Sequence, residues 1–310
     1  MTLEVVDYQK VTVLLSTYNG SKFLRQQLDS LYQQTYPNIR ILVRDDGSND
    51  ATRTLLEKEH EKGRILLFKG YDNLGVASSF FALLKNVAAT ETEFVAFCDQ
   101  DDVWQPDKVA RAISRLADVE KGFPAMYCSR VEVVDEHLMH IGYTMLPRKI
   151  GFGNALVDCI ATGCTIVLNS EAVRLLGNNP PCKGMMHDWW CYLVMSCFGK
   201  VIYDSAATLK YRQHDSNTIG LAKSEFQQFM RRCHRFLGGG GHLRMSTQAS
   251  YLLEIYKDRI PISNRQILNN FIAAKSSWCR RLQLALSKDI WRQKWSDNVL
   301  LRLLILFNRF

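Results

Sequence analysis

The chain has 310 residues, of which 47% are hydrophobic and 23% charged, a balance that excludes a disordered or fibrous protein. Nine cysteines without a C-x-x-C pair argue against a zinc ribbon or a disulfide framework and indicate a reducing compartment. The net charge of +8 is uneven, because residues 221–310 carry 16 Lys and Arg against 5 Asp and Glu, whereas residues 1–220 carry 23 against 26. The basic C-terminal part therefore indicates an anionic partner, either nucleic acid or acidic phospholipid.

The N-terminal residues MTLEVVDYQK lack the basic start and apolar core of a signal peptide. No apolar run approaches the roughly 20 residues that cross a bilayer. We therefore expect a cytoplasmic protein, either free or peripheral at the inner face of the cell membrane.

Apolar runs alternate with helical patterns over the first 120 residues. The runs predict strands at Val11–Ser16, Ile39–Arg44, Arg64–Phe68 and Phe94–Cys98, and the apolar spacing between them predicts helices at Lys22–Gln34, about Asp50–Glu61, and Val76–Ala88. This alternation is typical of an α/β fold in which helices cover both faces of a mainly parallel sheet. Ligands of such sheets bind at the carboxyl ends of the strands.

Residues 124–220 show a mixed pattern. It predicts strands at Ala125–Val134, Thr162–Asn169, Val201–Tyr203 and Leu209–Tyr211, and an apolar helix at Trp189–Phe198. After Gly220 the chain becomes basic and helical, with a four-glycine hinge at Gly238–Gly241. We therefore place a domain boundary near residue 220.

Polar residues follow each of the first four predicted strands. They are Ser16–Gly20, Asp45–Ser48, Asp72–Gly75 and Asp99–Asp102. Any single loop of this kind is equally consistent with a turn and a helix cap. Because all four loops share one edge of the sheet, together they predict the functional site.

The loop FCDQDDVW places three carboxylates within four residues of a buried strand. In an extended chain Asp99 and Asp101 point the same way and Gln100 points away. Two adjacent carboxylates repel unless a cation lies between them, and Mg²⁺ or Mn²⁺ with a diphosphate would satisfy both. The alternative is that Asp102 or Asp107 caps the following helix. Neither G-x-x-x-x-G-K-[ST] nor G-x-G-x-x-G after the first strand is present, which argues against a P-loop ATPase or a dinucleotide dehydrogenase.

Six motifs in order resemble the inverting family 2 glycosyltransferases of GT-A fold, and in particular their rhamnosyltransferase branch, which builds bacterial O-antigens and cell-wall rhamnans. They are LLSTYNG (Leu14–Gly20), RDDGSND (Arg44–Asp50), DNLG (Asp72–Gly75), CDQDDVW (Cys98–Trp104), HDWW (His187–Trp190) and YRQHDSNTIG (Tyr211–Gly220). The resemblance implies a catalytic domain at 1–220, with a nucleotide-sugar half at about 10–120 and an acceptor half at about 121–220, followed by a basic helical region at 221–310.

The resemblance also implies roles for individual residues on the donor side. The donor-binding set would be Thr17, Tyr18, Asn19, Asp45, Asp46, Asn73, Gly75, Asp99, Asp101, Arg212 and Gln213. Within it, Asp101 and Asp99 would hold a divalent metal, Mn²⁺ or Mg²⁺, with His214 as a further ligand. His214 is equally consistent with a hydrogen-bonded histidine at a strand end.

Asp188 matches the family's catalytic base, which would take the proton of the acceptor hydroxyl. Read locally, Asp188 is more typical of a helix N-cap, and only the resemblance reverses that preference in favour of the base. His187 is interpreted as a neighbour of the base. Trp189 and Trp190 could stack on sugar, although the interior of the domain is the usual place for tryptophan.

Three basic or apolar segments mark the C-terminal region: MRRCHRF (Met230–Phe236), CRRLQLALSK (Cys279–Lys288) and NVLLRLLILFNRF (Asn298–Phe310). The last is too short to span a bilayer but could lie in its interface. The alternatives are an ordinary core helix with a solvated basic face, and a homodimer contact. No recognised RNA- or DNA-binding motif accompanies the charge, so nucleic acid is not favoured.

The resemblance implies a metal-dependent inverting transfer of L-rhamnose from dTDP-L-rhamnose to a glycan on undecaprenyl diphosphate. Three alternatives stay open. The donor could be another UDP-, GDP- or dTDP-sugar. The protein could be a non-catalytic scaffold subunit of a glycan-assembly complex. It could also be a metal-dependent phosphotransferase, although no nucleophile motif supports that reading.

Overall fold

A computed structural model describes residues 8–70, 72–90, 94–214 and 245–310 of the protein. They belong to two compact units: the first comprises 1–144, 161–180 and 202–212, and the second 145–160, 181–201 and 213–310. The predicted boundary near residue 220, the hinge at Gly238–Gly241 and the segment Met230–Phe236 lie outside the described residues.

The first unit is built on a mixed sheet of nine strands in the described chain. In chain order they are β1 (Val11–Thr17), β2 (Ile39–Asp45), β3 (Leu66–Leu67), β4 (Phe94–Cys98), β5 (Val103–Trp104), β6 (Ala125–Val134), β7 (His140–Tyr143), β8 (Val167–Asn169) and β9 (Lys200–Arg212). The sheet order is β3-β2-β1-β4-β8-β6-β9-β5, and β7 pairs with β6. The predicted α/β class with a mixed sheet is confirmed.

The strands β3, β2, β1 and β4 run parallel, whereas β8 pairs antiparallel with both β4 and β6. In the parallel part, Thr17 lies opposite Asp45, and Leu15 lies opposite Cys98. The runs VTVLLST and FVAFC are almost entirely buried, as expected of strands covered on both faces. This register aligns the carboxyl ends of β1, β2 and β4 side by side.

The helices of the described residues are α1 (Leu24–Tyr32), α2 (Thr52–Glu61), α3 (Val76–Ala88), α4 (Lys108–Ala117), α5 (Phe152–Ala155), α6 (Ser170–Gly177), α7 (His187–Phe198), α8 (Met245–Tyr256), α9 (Ile262–Ala273), α10 (Trp278–Leu286) and α11 (Trp295–Leu306). Four of them, α1, α2, α3 and α7, correspond to the helices predicted from apolar spacing, and the others had no predicted bounds. Leu24, Leu28 and Leu31 of α1 are buried on one face. The helices α3 and α6 approach so closely that a Cβ on Gly177 would lie 2.6 Å from Ala88 Cβ. Glycine is therefore required at that contact.

Four predicted strands differ from the structure. The segment Thr162–Asn169 begins with a 3₁₀ turn at Gly163–Thr165, because Thr165 Oγ1 donates to Thr162 O at 2.7 Å, and only β8 is extended. The two short strands predicted at Val201–Tyr203 and Leu209–Tyr211 are one continuous strand, β9. The strand predicted at Arg64–Phe68 is shortened to β3.

The centre of the second unit is α7, whose Trp190 is fully buried against Tyr251 of α8. Asn154 of α5 accepts from Tyr192 of α7 at 2.8 Å and donates to Trp291 O at 2.9 Å. The tryptophan Trp190 is thus part of the core. The described cysteines are free thiols.

A buried carboxylate joins α1, α2 and the turn that follows α2. The Glu59 side chain is fully buried, and it accepts from Arg25 at 3.1 Å, Lys62 at 2.9 Å, Tyr32 at 3.0 Å and Arg64 at 3.3 Å. Burial raises the pKa of Glu59, but the hydrogen bonds from Lys62, Arg25 and Tyr32 outweigh burial and lower the pKa from 4.5 to about 2. The ionised form is therefore stabilised by folding.

We expect Glu59→Gln to lower the free energy of unfolding by about 3 kcal/mol at neutral pH, because it leaves several cations around a neutral buried amide. The contribution of Glu59 is fully present above its unfolded pKa of 4.5 and is lost as the pH falls through about 2. Urea unfolding at pH 7 and at about pH 3 measures both effects. Glu57→Gln, on the exposed face of the same helix, is the matched control and should change little. Equal losses in the two variants would contradict the assignment.

Candidate active site

The loop after β1 is fixed by a glutamine from the loop after β4. Gln100 accepts from Tyr18 N–H at 2.9 Å and donates to Tyr18 O at 3.0 Å. A Cβ on Gly20 would lie 2.1 Å from Gln100 Oε1, so glycine leaves room for this side chain. Asn19 has a left-handed backbone with φ of 47°, which asparagine tolerates, and Tyr18 is half exposed. The Tyr18 ring is therefore available to a ligand.

Asp45 at the end of β2 is buried and closes the loop onto β1. Its Oδ1 accepts from Thr17 Oγ1 at 3.0 Å and from Ser48 Oγ at 2.5 Å, and its Oδ2 accepts from Ser48 N–H at 2.9 Å. Hydrogen bonds from side chains and the backbone thus satisfy this carboxylate. The hydrogen bond from Thr17 to Asp45 therefore joins the ends of the paired strands β1 and β2.

Asp46 fixes the loop of Asn73 and Gly75. Its carboxylate pairs with the buried Arg44 guanidinium and accepts from Leu74 N–H and Gly75 N–H, each at 2.8 Å. Arg44 also donates to Asp72 O at 2.6 Å, so the pair holds both ends of the loop. Gly75 has φ of 78°, a conformation that favours glycine.

The acidic loop departs from the extended geometry that the sequence analysis assumed. The chain bends at Gln100 and Asp101 after β4 ends at Cys98, so strand alternation does not govern Asp99 to Asp102. Ligand atoms of Asp99, Asp102 and Cys164 lie within 4.8 Å of one another. Cys164 reaches this point from the 3₁₀ turn before β8.

Asp102 is fully buried, and it does not cap the following helix, because α4 begins only at Lys108. Asp107 occupies the N-cap position of α4, but its side chain makes no capping hydrogen bond. The Asp102 Oδ1 accepts from Arg212 N–H at 3.2 Å, whereas its buried Oδ2 meets no N–H or O–H donor among the described residues. Burial raises the pKa of Asp102 well above its usual range, and the charges of Asp101 and Asp99 raise it further.

This donor set fits a hard divalent cation through its carboxylates. The buried Oδ2 of Asp102 and the carboxylate of Asp99 are oxygen donors, which Mg²⁺ and Mn²⁺ prefer. Cys164 does not fit as well, because Mg²⁺ and Mn²⁺ prefer oxygen ligands to sulfur. Asp101, the expected metal residue, adjoins this group in sequence and is partly exposed.

Arg212, expected to face the diphosphate, is almost fully buried instead. Its guanidinium donates to Asp101 O at 2.8 Å, to Gln26 Oε1 at 2.6 Å and to Glu136 O. Three separate segments therefore share one cation. These contacts favour a role in positioning the acidic loop over direct contact with a donor.

Asp188 lies in the second unit, in the first turn of α7 after an N-cap at Met186. Its Oδ1 accepts from Trp189 N–H at 2.7 Å, and the side chain is half-buried. His187 is buried, and burial lowers the pKa of its ring, so it is neutral at pH 7. Gln213 and His214 follow β9, are half-buried and also belong to the second unit.

Sequence reasoning missed three residues of this edge. Gln100 pairs with Tyr18, Arg44 pairs with Asp46, and Lys108 is buried with Nζ 3.5 Å from the centroid of the Trp104 ring. Burial lowers the pKa of Lys108 to about 8. The role of Arg44 was predictable, because a charged residue at the end of an otherwise apolar strand, next to two aspartates, indicates an ion pair. The burial of Lys108 was not predictable, because lysine is common in the first turn of an amphipathic helix.

Comparison with known proteins shows which family the chain belongs to. Residues 12–166 match glycosyl transferase family 2, which is half of the chain. The chain belongs to glycosyl transferase family 2. The family assignment predicted from the six motifs is therefore confirmed, and the protein is a glycosyltransferase.

Two relatives illustrate the range of the family. The chain is 25% identical over 320 residues to the dTDP-rhamnosyl transferase RfbG of Shigella flexneri, covering 96% of this chain and all of that one. It is 30% identical over 165 residues to the Escherichia coli UDP-Glc:alpha-D-GlcNAc-diphosphoundecaprenol beta-1,3-glucosyltransferase WfgD, covering 53% of this chain and 62% of that one.

Solved structures share the fold. The Staphylococcus aureus TarS fragment 1–349 in complex with UDP-GlcNAc superposes with a TM-score of 0.56 at 15% identity, covering 96% of this chain and 91% of that one. The Pyrobaculum calidifontis mannosyltransferase PcManGT, solved with GDP-Man and Mn²⁺, gives 0.54 at 18% identity, covering 90% and 73%. The predicted GT-A fold is confirmed.

We expect Asp46→Asn to loosen the 72–75 loop, because an amide offers one acceptor where the carboxylate offers two and leaves Arg44 buried without its charge partner. The expected loss of unfolding free energy is about 3 kcal/mol, with nucleotide affinity falling about tenfold. Urea unfolding and titration with nucleoside diphosphates measure both.

Asp72→Asn is the control within the same loop, since Asp72 is exposed and only its backbone oxygen accepts from Arg44. It should leave both quantities near wild type. If Asp46→Asn bound nucleotide as wild type does, the loop would not be part of the nucleotide site.

Proposed function

We propose that the protein is a metal-dependent inverting glycosyltransferase that transfers L-rhamnose from dTDP-L-rhamnose to a glycan on undecaprenyl diphosphate. The observation that carries the proposal is the edge of β1, β2 and β4, where the polar loops predicted from the sequence are joined by hydrogen bonds. A binding edge fixed before the ligand arrives is what recognition of a nucleotide sugar requires.

On the donor side, Thr17, Tyr18 and Asn19 with Asp45 and Asp46 would surround the base. The exposed Tyr18 ring can stack on it, whereas Asp45 and Asp46 hold the loops in place. Asn73 and Gly75 would lie against the nucleotide from the adjoining loop. The contacts of Arg212 support a positioning role, and Gln213 is retained as a donor contact.

The cation would be held by Asp99 and Asp101. Asp102 would supply a further carboxylate oxygen, and His214 would be a further ligand. When bound, Mn²⁺ or Mg²⁺ would offset the charge that develops on the departing diphosphate. Among this chain's own residues, the carboxylate of Asp99 would also orient the ribose.

Asp188 would take the proton of the attacking acceptor hydroxyl as the new glycosidic bond forms and the diphosphate leaves. Its half-buried position lets an acceptor reach the carboxylate. The adjacent His187 is buried and its ring is neutral, so we assign the base to Asp188 and not to His187.

The relatives support the donor and acceptor classes. Full-length similarity to a dTDP-rhamnosyl transferase favours dTDP-rhamnose, and similarity to a glucosyltransferase named for a diphosphoundecaprenol acceptor favours a lipid-linked glycan. Such an acceptor would place the enzyme at the cytoplasmic face of the cell membrane, in surface-polysaccharide synthesis. We also propose, as in the sequence analysis, that the catalytic domain ends near residue 220 and that the protein could form a homodimer. The second candidate donor is another UDP- or GDP-sugar, in line with the ligands of the neighbouring structures.

A panel of nucleotide sugars tests the proposal, each assayed with Mn²⁺, with Mg²⁺ and with chelator. We expect chelator-sensitive turnover of dTDP-rhamnose, with Asp101→Ala losing donor affinity at least about tenfold. Asp188→Asn should keep donor affinity and lose turnover about a thousandfold, the usual contribution of a general base. The anomeric configuration of the product, read by NMR, reports inversion.

Asp107→Ala is the matched control, because Asp107 is an exposed aspartate at the start of α4. It should behave as wild type. Turnover of another nucleotide sugar alone would reassign the donor. Metal binding without turnover of any donor would support a scaffold subunit, and Asp188→Asn with wild-type turnover would remove Asp188 as the base.

A further inference from the structure

Two helices of the second unit expose apolar side chains in regular rows. In α11 the row is Trp295, Val299, Leu303 and Phe307, the last just beyond the helix, and in α10 it is Trp278, Leu282 and Leu286. Trp295 and Leu286 are each 77% exposed and Phe307 is 69% exposed. The spacing of four residues places each row on one helix face. We call the two together the apolar rows.

The opposite face of α11 is also apolar. Leu301, Leu304 and Ile305 are buried, and the helical rotation of 100° per residue places Leu303 across the axis from them. A helix with apolar side chains on two opposite faces normally buries both faces, in protein or in lipid. The core of the second unit accounts for only one side of α11.

The pair α10 and α11 is held as one element. The two helices pack together, and the Arg302 guanidinium donates to Leu284 O at 3.2 Å and to Ile290 O at 2.8 Å. These bonds join α11 to the end of α10 and to the connecting segment. The apolar rows are therefore presented by a fixed pair of helices.

Exposed cations adjoin the rows in sequence. Lys288 and Arg309 are exposed, and each lies two residues beyond the last member of a row, past the end of its helix; residues 275–310 contain eight Lys and Arg against two Asp and Glu. Arg280 lies about 200° around the α10 axis from Trp278 and so does not adjoin the row; it lines a surface groove of about 510 Å³ together with Asn270, Gln283, Ser287 and Asp289. An excess of cations beside apolar side chains complements a surface of anionic headgroups over hydrocarbon.

We propose that the apolar rows of α10 and α11 dock on an anionic phospholipid bilayer, with the row side chains entering the interface and the cations meeting lipid phosphates. No helix in the described ranges is long and apolar enough to cross a membrane. At 12 residues, α11 is roughly 18 Å long, which suits a helix that lies in the interface. The inference rests on the proposed function only in that the lipid-linked acceptor would place the protein at the cell membrane. The apolar rows are observed independently of that function.

A second copy of the chain is the competing occupant. A two-fold contact through the rows would bring the same cations of both copies together, and two basic surfaces repel. The charge therefore favours lipid over self-association.

Co-sedimentation of the full chain with vesicles tests the proposal, using phosphatidylcholine alone or an equimolar mixture with phosphatidylglycerol, without polyprenyl lipid or nucleotide sugar. We expect binding to the anionic vesicles to be at least about tenfold tighter and to weaken as NaCl rises from about 0.1 to about 0.5 M. The combined Trp295→Ser, Leu303→Ser and Phe307→Ser variant should weaken it more than about tenfold. The combined Lys288→Gln and Arg309→Gln variant should remove most of the preference for anionic lipid.

Met139→Ser with Ile141→Ser is the matched control, because both residues are equally exposed on the β7 hairpin of the first unit. It should bind as wild type, and thermal unfolding confirms that every variant folds. Equal binding to both vesicle types, or serine variants that bind as wild type, would overturn the proposal. So would serine variants that turn a wild-type dimer into a monomer without affecting vesicle binding.

The two proposals fail separately. Lost vesicle binding with intact donor turnover in solution would remove the membrane surface and leave the enzyme. Intact vesicle binding without turnover of any donor would do the reverse.

Discussion

The acidic loop depends on one buried cation, the guanidinium of Arg212. Its donors reach Asp101 O, Glu136 O and Gln26, and its backbone N–H reaches Asp102 Oδ1. A buried guanidinium is costly unless its donors are used, and here they bind oxygens from the acidic loop, from the turn after β6 and from α1. The end of β9 is thereby tied to the loop after β4, so the position of Asp101 is set by a residue 111 positions away.

Carboxylates at the sheet edge fall into two electrostatic classes. Asp45 and Asp46 are buried and saturated by hydroxyls, backbone N–H groups and Arg44, so their work is to hold loops. Asp102 is buried with one oxygen that no N–H or O–H of the described chain reaches, beside the carboxylates of Asp99 and Asp101. The first class pre-organises the edge, whereas the second class gains from an added positive charge.

The sequence predicted the helices and strands better than the contacts between their side chains. The bounds of α3, β4 and β6 agree with prediction to the residue, because each is an uninterrupted apolar or amphipathic pattern. The 3₁₀ turn at Gly163–Thr165 was predicted as strand because it ends in Thr165 and leads directly into Ile166 and Val167, all three of them β-branched. The Gln100–Tyr18 pair joins residues 82 positions apart, and no local pattern encodes such a contact. The residues of the edge were thus predictable, but the division between those that hold loops and those that meet ligand was not.

The division between residues that hold loops and residues that meet ligand also explains why transfer from a nucleotide sugar would need a cation from solution. A nucleotide diphosphate is anionic, and residues 1–220 are themselves net negative, with 23 Lys and Arg against 26 Asp and Glu. Two cations of the edge, Arg44 and Arg212, are buried and donate to Asp46 and to backbone oxygens. Moving either towards a diphosphate would break several hydrogen bonds and leave buried oxygens without donors, at a cost of about 1–3 kcal/mol for each group. An added divalent ion would avoid that cost, because the aspartates could hold it and its charge would offset that of the diphosphate while the loops stay fixed.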